Sequence, residues 1–392
     1  MISRLATTSH GAALPAPSPD AAALSEKLAR LVAGEIGRGG GWLPFARYME
    51  LALYAPALGY YMAGARKLGR DGDFVTAPEI SPLYGRTLAR QVAQLAALGL
   101  NEILEIGAGS GALAADLLTE LEQLGCPPQR YLILELSPDL RDRSRDTLAR
   151  RAPRQLERVA WLNRLPPSFA GVVIGNEVLD AMPVHVFERQ GTRIVELGVA
   201  AANGGFRWSE RPSGRAPAEP DPECFPGDGY RTEIQLVARG FLRSVGEALA
   251  RGVALFIDYG FPRREYYHPQ RTRGTLMCHY RHRAHDDPFF LPGLQDITAH
   301  LDFSALAQAG REGGLDLLGY ATQAQFLVNC GITDILSETP ATDAAAYAPL
   351  AAQANTLLSP AEMGELFKVI ALGKGVNEPL RGFAQGDKSH TL

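Results

Sequence analysis

The stretch from residue 101 to 136, NEILEIGAGSGALAADLL followed by a short link and YLILEL, constrains this chain more than any other. Ile103, Leu104 and Ile106 form an apolar run short enough for a buried strand, and Gly107, Gly109 and Gly111 follow at once. Leu113, Leu117, Leu121 and Leu124 then recur at helical spacing, so the pattern predicts a helix leaving the glycine turn. After Gly125, Cys126 and two prolines, residues 131–134 form a second apolar run that closes on Glu135. Strand, glycine loop, helix and a strand tipped by a carboxylate suit a nucleoside. Glycines let a ligand approach the loop amides, and Glu135 offers acceptors for two ribose hydroxyls. The plainer alternative is a tight βα turn with a solvated strand end, and the order of loop and acid weighs against it.

The ligand stays open at this point. Gly107-Ala108-Gly109-Ser110-Gly111-Ala112 satisfies G-x-G-x-G, usual for S-adenosylmethionine, and also the looser G-x-G-x-x-A accepted for dinucleotides. Glu105 tilts the choice, because E-x-G-x-G-x-G resembles the common form in class I methyltransferases, where that acid helps hold the methionine amino group. A nicotinamide dehydrogenase is the competing reading of the loop alone.

A length of 392 residues allows two or three domains, or one large α/β domain with insertions. The 46% hydrophobic and 21% charged content is ordinary for a globular protein, and a net charge of −4 argues against a broad nucleic-acid-binding surface. No apolar run approaches the roughly 20 residues that span a bilayer. Cys126, Cys224, Cys278 and Cys330 are scattered without C-x-x-C, which points to a reducing cytoplasm rather than a disulfide framework or a cysteine zinc site. Residues 1–20, mostly Ala, Ser, Thr and Pro, lack the apolar centre of a secretory signal and read as a disordered leader.

Along the chain, residues 20–34 and 45–53 read as helices, and the segment GRDGDFVTAPEISPLYGR precedes a helix that Ser81 and Pro82 start. Residues 21–98 are thus expected to form a helical cap and lid. Ser137-Pro138-Asp139 starts the next helix, with strands at 159–162 and 171–175. The latter ends in Asn176-Glu177-Val178-Leu179-Asp180, where an open α/β sheet places ligands. A β-meander over 184–208, a loop over 209–228 and a helix from about 230 to 249 follow. A strand ending in Asp258-Tyr259-Gly260 leads to a polar and aromatic insertion over 261–303. His279, His282 and His285 stand three apart there, but Arg281 and Arg283 between them disfavour a metal, so none is expected. Strand, helical insertion (323–360) and strand close a core spanning 99–373, and the polar tail, 374–392, reads as mobile.

The chain resembles the MidA family over about residues 43–372. The motifs that carry the likeness are LPFARYMELALYAPALGYY, GRDGDFVTAPEISPLYGR, EIGAGSGALAADLL, ELSPDLR, NEVLDAMPVHVF, IDYG and DITAHLDF. Two departures are mild: Gly175 stands where the family commonly has alanine, and Val178-Leu179 where bulkier residues are frequent. The resemblance implies a class I methyltransferase (Rossmann-like) fold, α/β with a seven-stranded sheet, a helical N-terminal cap and insertions after strands four, five and six. It implies S-adenosylmethionine as cofactor and an arginine of a protein, such as a respiratory complex I subunit, as acceptor. It places the protein in the cytoplasm of a bacterium or the mitochondrial matrix of a eukaryote. On these motifs the cofactor set is Asp73, Phe74, Thr76, Glu105, Gly107, Ala108, Gly109, Gly111, Glu135, Leu136 and Asn176, and Tyr61, His279 and His300 are expected at the substrate.

Methyl transfer from a sulfonium is a direct displacement, so the protein mainly aligns nucleophile, methyl and sulfur. A guanidinium, with a pKa above about 12, arrives charged and poorly nucleophilic, and carboxylates can grip it and leave one nitrogen facing the methyl. Glu177 is therefore expected to bind the guanidinium, with Asp180 or Asp258 as clamp or proton acceptor; a helix N-cap is the other reading of Asp180. A small-molecule methyltransferase and a cofactor-binding assembly factor also remain open.

Overall fold

Ser18 accepts a hydrogen bond from the Ala21 amide and starts the first helix of the computed structural model, which describes residues 14–64, 75–211 and 221–392. That helix, α1 (Pro19–Arg38), buries Leu28, Val32 and Ile36, so the expected leader ends at position 18; residues 1–13 lie outside the described residues. A two-residue strand β1 (Leu43–Pro44) leads into α2 (Phe45–Tyr54). The short α3 (Ala77–Ile80) and then α4 (Pro82–Ala96) follow, α4 capped by Ser81 through the Leu83 amide. β2 (Glu102–Ile106) enters the glycine turn, α5 (Ala112–Gln123) leaves it, and β3 (Arg130–Leu134) lies parallel to β2. Ser137 caps α6 (Pro138–Arg151), and β4 (Val159–Leu162) and β5 (Phe169–Asn176) follow.

A second sheet is then built from β6 (His185–Gln190), β7 (Arg193–Ala202), β8 (Gly205–Glu210) and β9 (Arg231–Ile234). The helix expected from residue 230 starts only at α7 (Leu236–Ala248), because residues 231–234 pair antiparallel with β6. Cross-strand pairing here overrides the local helical spacing. β10 (Leu249–Phe261) and α8 (Arg263–Tyr266) lead to a small sheet of β11 (Met277–Tyr280), β12 (Arg283–His285) and β13 (Asp296–Thr298). β14 (Leu301–Asp302), α9 (Phe303–Glu312), β15 (Asp316–Thr322), α10 (Gln323–Asn329), α11 (Ile332–Ser337), α12 (Ala344–Leu358) and β16 (Phe367–Lys374) complete the chain's regular elements.

The central sheet is mixed, in the order β15-β16-β10-β5-β2-β3-β4, with β14 added at the end of β10. β16 runs antiparallel to β10 and β15, while β10, β5, β2, β3 and β4 pair in parallel. Side chains alternate between two covered faces. On β5, Val172 and Ile174 pack toward α4, α5 and α10–α12, whereas Val173 packs toward α7 and α9. Burial on both faces is why these strands read as unbroken apolar runs. A third core joins α1 and α2 to the appended sheets through Leu28, Phe45, Met49, Val186, Val199 and Ile297.

The tail, expected to be mobile, packs against α4, α10 and β15. Leu380 and Phe383 are buried, and Phe383 packs edge-on against Phe326 with centroids 5.4 Å apart. Its ring fills the space over Gly319, where a Cβ would lie 2.3 Å from it. The Gly382 amide donates to Gln91 Oε1 (2.8 Å) and the Lys388 amide to the Tyr320 carbonyl (2.6 Å). Two apolar residues in a polar run were enough to anchor it.

Candidate active site

The carboxyl ends of β2, β3 and β5 open together under the cap, around a cavity of about 780 Å³. That is within the usual range of roughly 300–1,000 Å³ for small-molecule sites. At one end lies the glycine turn. Gly107 has φ +66°, and a Cβ there would stand 2.6 Å from Val178 Cγ1, so only glycine fits between the turn and the loop after β5. The Gly109 amide donates to Glu135 Oε2 (3.3 Å) and the Ser137 amide to Glu135 Oε1 (2.9 Å). Each carboxylate oxygen keeps a further lone pair for a ligand hydroxyl. Burial raises the Glu135 pKa above the usual carboxylate range, and these amide bonds oppose the rise. Ala108 and Leu136 also line this end, and Leu136 is 60% exposed, an apolar plate beside the acid. Glu105 reaches the cavity from β2; the Tyr131 hydroxyl donates to it (2.7 Å), and burial pushes its pKa up to about 7.

At the other end stand Asn176 and Glu177. The Tyr84 hydroxyl donates to Asn176 Oδ1 (2.5 Å), and Asn176 Nδ2 donates to Glu177 Oε1 (3.0 Å). The Ala77 amide adds a longer bond to the same oxygen (3.4 Å), and Thr76 beside it lines the cavity. Glu177 has φ +51°, a conformation few non-glycine residues adopt, and its amide donates to the Ile257 carbonyl (2.8 Å). Burial, reinforced by the Asp180 and Asp296 charges, pushes its pKa up to about 8 against the Asn176 and Ala77 bonds.

Asp258 and Asp180 stand behind Glu177, outside the cavity lining. Asp258 Oδ2 accepts the Leu179 and Asp180 amides (3.0 and 3.2 Å) and Oδ1 accepts the Tyr259 amide (2.9 Å). Its carboxylate holds the turn that presents Glu177, so the expected clamp or proton-acceptor role at the acceptor does not fit its position. Asp180 takes the Tyr259 hydroxyl on Oδ2, and burial raises its pKa to about 6; the chain turns there without starting a helix, so it is no N-cap.

Tyr61 lines the cavity, donates its hydroxyl to Asp296 Oδ1 (2.9 Å) and stacks on Tyr54 at 5.5 Å. His279 and His300 do not line it. His279 sits in β11 opposite Asp296, one layer back. His300 packs edge-on against Tyr259 (5.1 Å), and burial lowers its pKa to about 4, so it is neutral. Asp73 and Phe74 lie outside the described residues. Glu50, Tyr54, Met182, His185, Val237 and Phe241 line the cavity without having been singled out from the sequence. The aromatic density of ALYAPALGYY was the one available signal, for Tyr54. Five glutamates but only two arginines line the cavity, and one of those, Arg47, is tied to Glu35 (2.8 Å) and Glu50 (2.9 Å). The cavity thus has a glycine-lined end that Glu135 tips and an acidic end at Glu177.

Comparisons with known proteins agree. The family model described as "Putative S-adenosyl-L-methionine-dependent methyltransferase" matches residues 83–321. A protein from Burkholderia thailandensis, described as a "likely methyl transferase" and bound to S-adenosyl-homocysteine, is 53% identical with a TM-score of 0.92 over 97% of this chain and 100% of that one. The mitochondrial protein arginine methyltransferase NDUFAF7 of Mus musculus is 31% identical over 85% of this chain and 81% of its own length, and that of Homo sapiens 29% over 85% and 80%. The glycine cradle, the unspent lone pairs of Glu135 and the buried Glu105 fit S-adenosylmethionine, whose role as cofactor the liganded neighbour supports. The chain belongs to the MidA family of S-adenosylmethionine-dependent methyltransferases.

Proposed function

We propose that this methyltransferase acts on an arginine side chain of a protein, and that Glu177 receives the guanidinium. One observation carries the reading: Glu177 lies on an acidic cavity wall, held there at positive φ, and among the described residues no cation pairs with it. The relatives named protein arginine methyltransferases support it at about 30% identity.

When bound, S-adenosylmethionine supplies a methyl group on a sulfonium. Glu105 and Glu135 would hold its amino and ribose groups from the tips of β2 and β3, with Ala108, Gly109 and Leu136 around the nucleoside. Asn176 fixes the Glu177 carboxylate, which ionises on meeting the guanidinium and draws its positive charge away from the attacking nitrogen. Alignment of nucleophile, methyl and sulfur supplies most of the acceleration. After transfer the methylated nitrogen sheds one proton, and the Glu177 carboxylate, ionised beside the guanidinium, is the group placed to accept it. Asp258 serves the reaction by holding the turn. Among the described residues no helix is long and apolar enough to cross a membrane, and all four cysteines are unpaired, which suits a reducing compartment such as the bacterial cytoplasm.

The test is transfer of labelled methyl from S-adenosylmethionine to lysate proteins, respiratory complex I subunits included, with the modified residue identified by mass spectrometry. Methylated arginine is expected. Label found only on small molecules or on another side chain overturns the arginine reading.

A further inference from the structure

Ser137 sits where the nucleoside end, the cap and α6 meet, and it is 1% exposed. Its amide donates to Glu135 Oε1 (2.9 Å), while its hydroxyl donates to the Tyr61 carbonyl (2.7 Å) and caps α6 by accepting the Leu140 amide (3.4 Å). Tyr61 continues the line toward the acceptor end. Its phenol donates to Asp296 Oδ1 (2.9 Å), and its ring stacks on Tyr54 at 22°. The Tyr54 hydroxyl donates to the Ala181 carbonyl (3.1 Å), in the turn that Glu177 opens. Asp296 also accepts the Ile297 amide (3.0 Å), and the Ala299 amide just beyond β13 donates to the Asp180 carbonyl (3.0 Å). Four segments far apart in sequence are thus joined from the ribose acid to the turn that presents Glu177.

We propose that Ser137 and Tyr61 are positioning residues: seating a ribose on Glu135 fixes Ser137, Ser137 fixes Tyr61, and Tyr61 sets the acceptor end, so the cofactor and acceptor ends are coupled. This rests on the reading of Glu135 as the ribose acid. The physical ground is geometric. Two ribose hydroxyls add to the Gly109 and Ser137 amides already on Glu135, and Ser137 carries the hydroxyl that holds Tyr61. Breaking that one buried hydrogen bond uncouples the ends, at a cost of about tenfold in an equilibrium.

Hydrogen exchange reads the tie without a known acceptor. The Tyr60 and Tyr61 amides bond to the Ala52 and Leu53 carbonyls (2.8 and 2.9 Å), so peptides covering 52–62 report how firmly the cap is held. Saturating S-adenosylhomocysteine should slow their exchange about tenfold in the wild type. Ser137→Ala keeps the backbone amide on Glu135, so calorimetry should find S-adenosylhomocysteine bound within about threefold of wild type while the slowing disappears. Ser137→Thr, which keeps the hydroxyl, should restore it. Tyr61→Phe keeps the link to Ser137 and loses Asp296, so slowing at 52–62 persists while slowing at 296–299 is lost. Undiminished slowing in Ser137→Ala overturns the proposal, as does a loss of affinity that tracks the loss of slowing, because Ser137 would then be only part of the cofactor site. Should Ser137→Ala not fold, the Tyr61→Phe pattern decides, and equal slowing at both segments counts against the tie. Glu135→Ala binding S-adenosylhomocysteine as tightly as wild type would instead defeat the ribose reading, and the proposal with it.

Discussion

Replacing Glu177 with Gln removes the ionisable group of the acceptor end and leaves its shape, since the amide oxygen can still accept the Asn176 and Ala77 bonds. In the folded protein Glu177 keeps its proton up to about pH 8, whereas the ordinary value of a glutamate is 4.5. The native state therefore binds the extra proton between those values, and stability falls as pH rises through that window. The displacement corresponds to about 5 kcal/mol at about 1.4 kcal/mol per pH unit. Glu177 is half-buried with the cavity on one side, and solvent there should leave on the order of 2 kcal/mol. Glu177→Gln should thus match wild type near pH 4.5 and exceed it by about 2 kcal/mol at pH 8.5, a rise in Tm of about 2.5 °C for a chain of this size. Asp180 and Glu105, with pKa values raised to about 6 and about 7, still titrate in the variant, so its stability also declines, less steeply. Thermal unfolding in a buffer series from pH 4.5 to 8.5 measures both slopes. Calorimetry with S-adenosylhomocysteine should find affinity within about threefold of wild type, and methyl transfer should drop by at least about a hundredfold. Parallel pH slopes for the two proteins would refute the electrostatic argument, and full transfer by the variant would refute the role.

Gly107→Ala puts a methyl against Val178 at positive φ, so we expect a loss of about 1–3 kcal/mol in unfolding free energy and S-adenosylhomocysteine affinity lowered at least about tenfold. Urea titration and calorimetry check the pair. Phe383→Ala empties the space over Gly319 and should lower stability by about 3 kcal/mol, with faster proteolysis of the tail and unchanged cofactor affinity.

What could be read from residues alone was local. The glycine turn, α5 and Glu135 lie within one short stretch, so spacing and composition carried them, and Asn176-Glu177 followed from the rule that ligands gather at strand ends. Long-range pairing was hidden. Residues 231–234 look helical until β6 claims them, and nothing near Asp258 says that its oxygens are spent on the Leu179, Asp180 and Tyr259 amides. His300 carries a reactive side chain in a conspicuous motif, yet packing with Tyr259 and Phe261 leaves it buried and neutral. Gly175, a mild oddity in the sequence, has a spatial reason: a Cβ there would lie 2.7 Å from Phe256 and 2.9 Å from Val178. Alanine at this position demands a different partner at 256 or 178.

The third apolar core has a practical corollary for anyone dissecting the enzyme. Leu43 and Pro44 pair antiparallel with Val199 and Gly198, and the buried rings of Phe45 and Tyr48 lie against Trp208, Phe206 and Phe289, contributed from far downstream. A gene fragment starting at β2 would strip that seam and leave an oily scar along the remaining sheets, inviting self-association rather than yielding a minimal catalyst. Roof and wall were sewn as one garment, and they must be expressed as one.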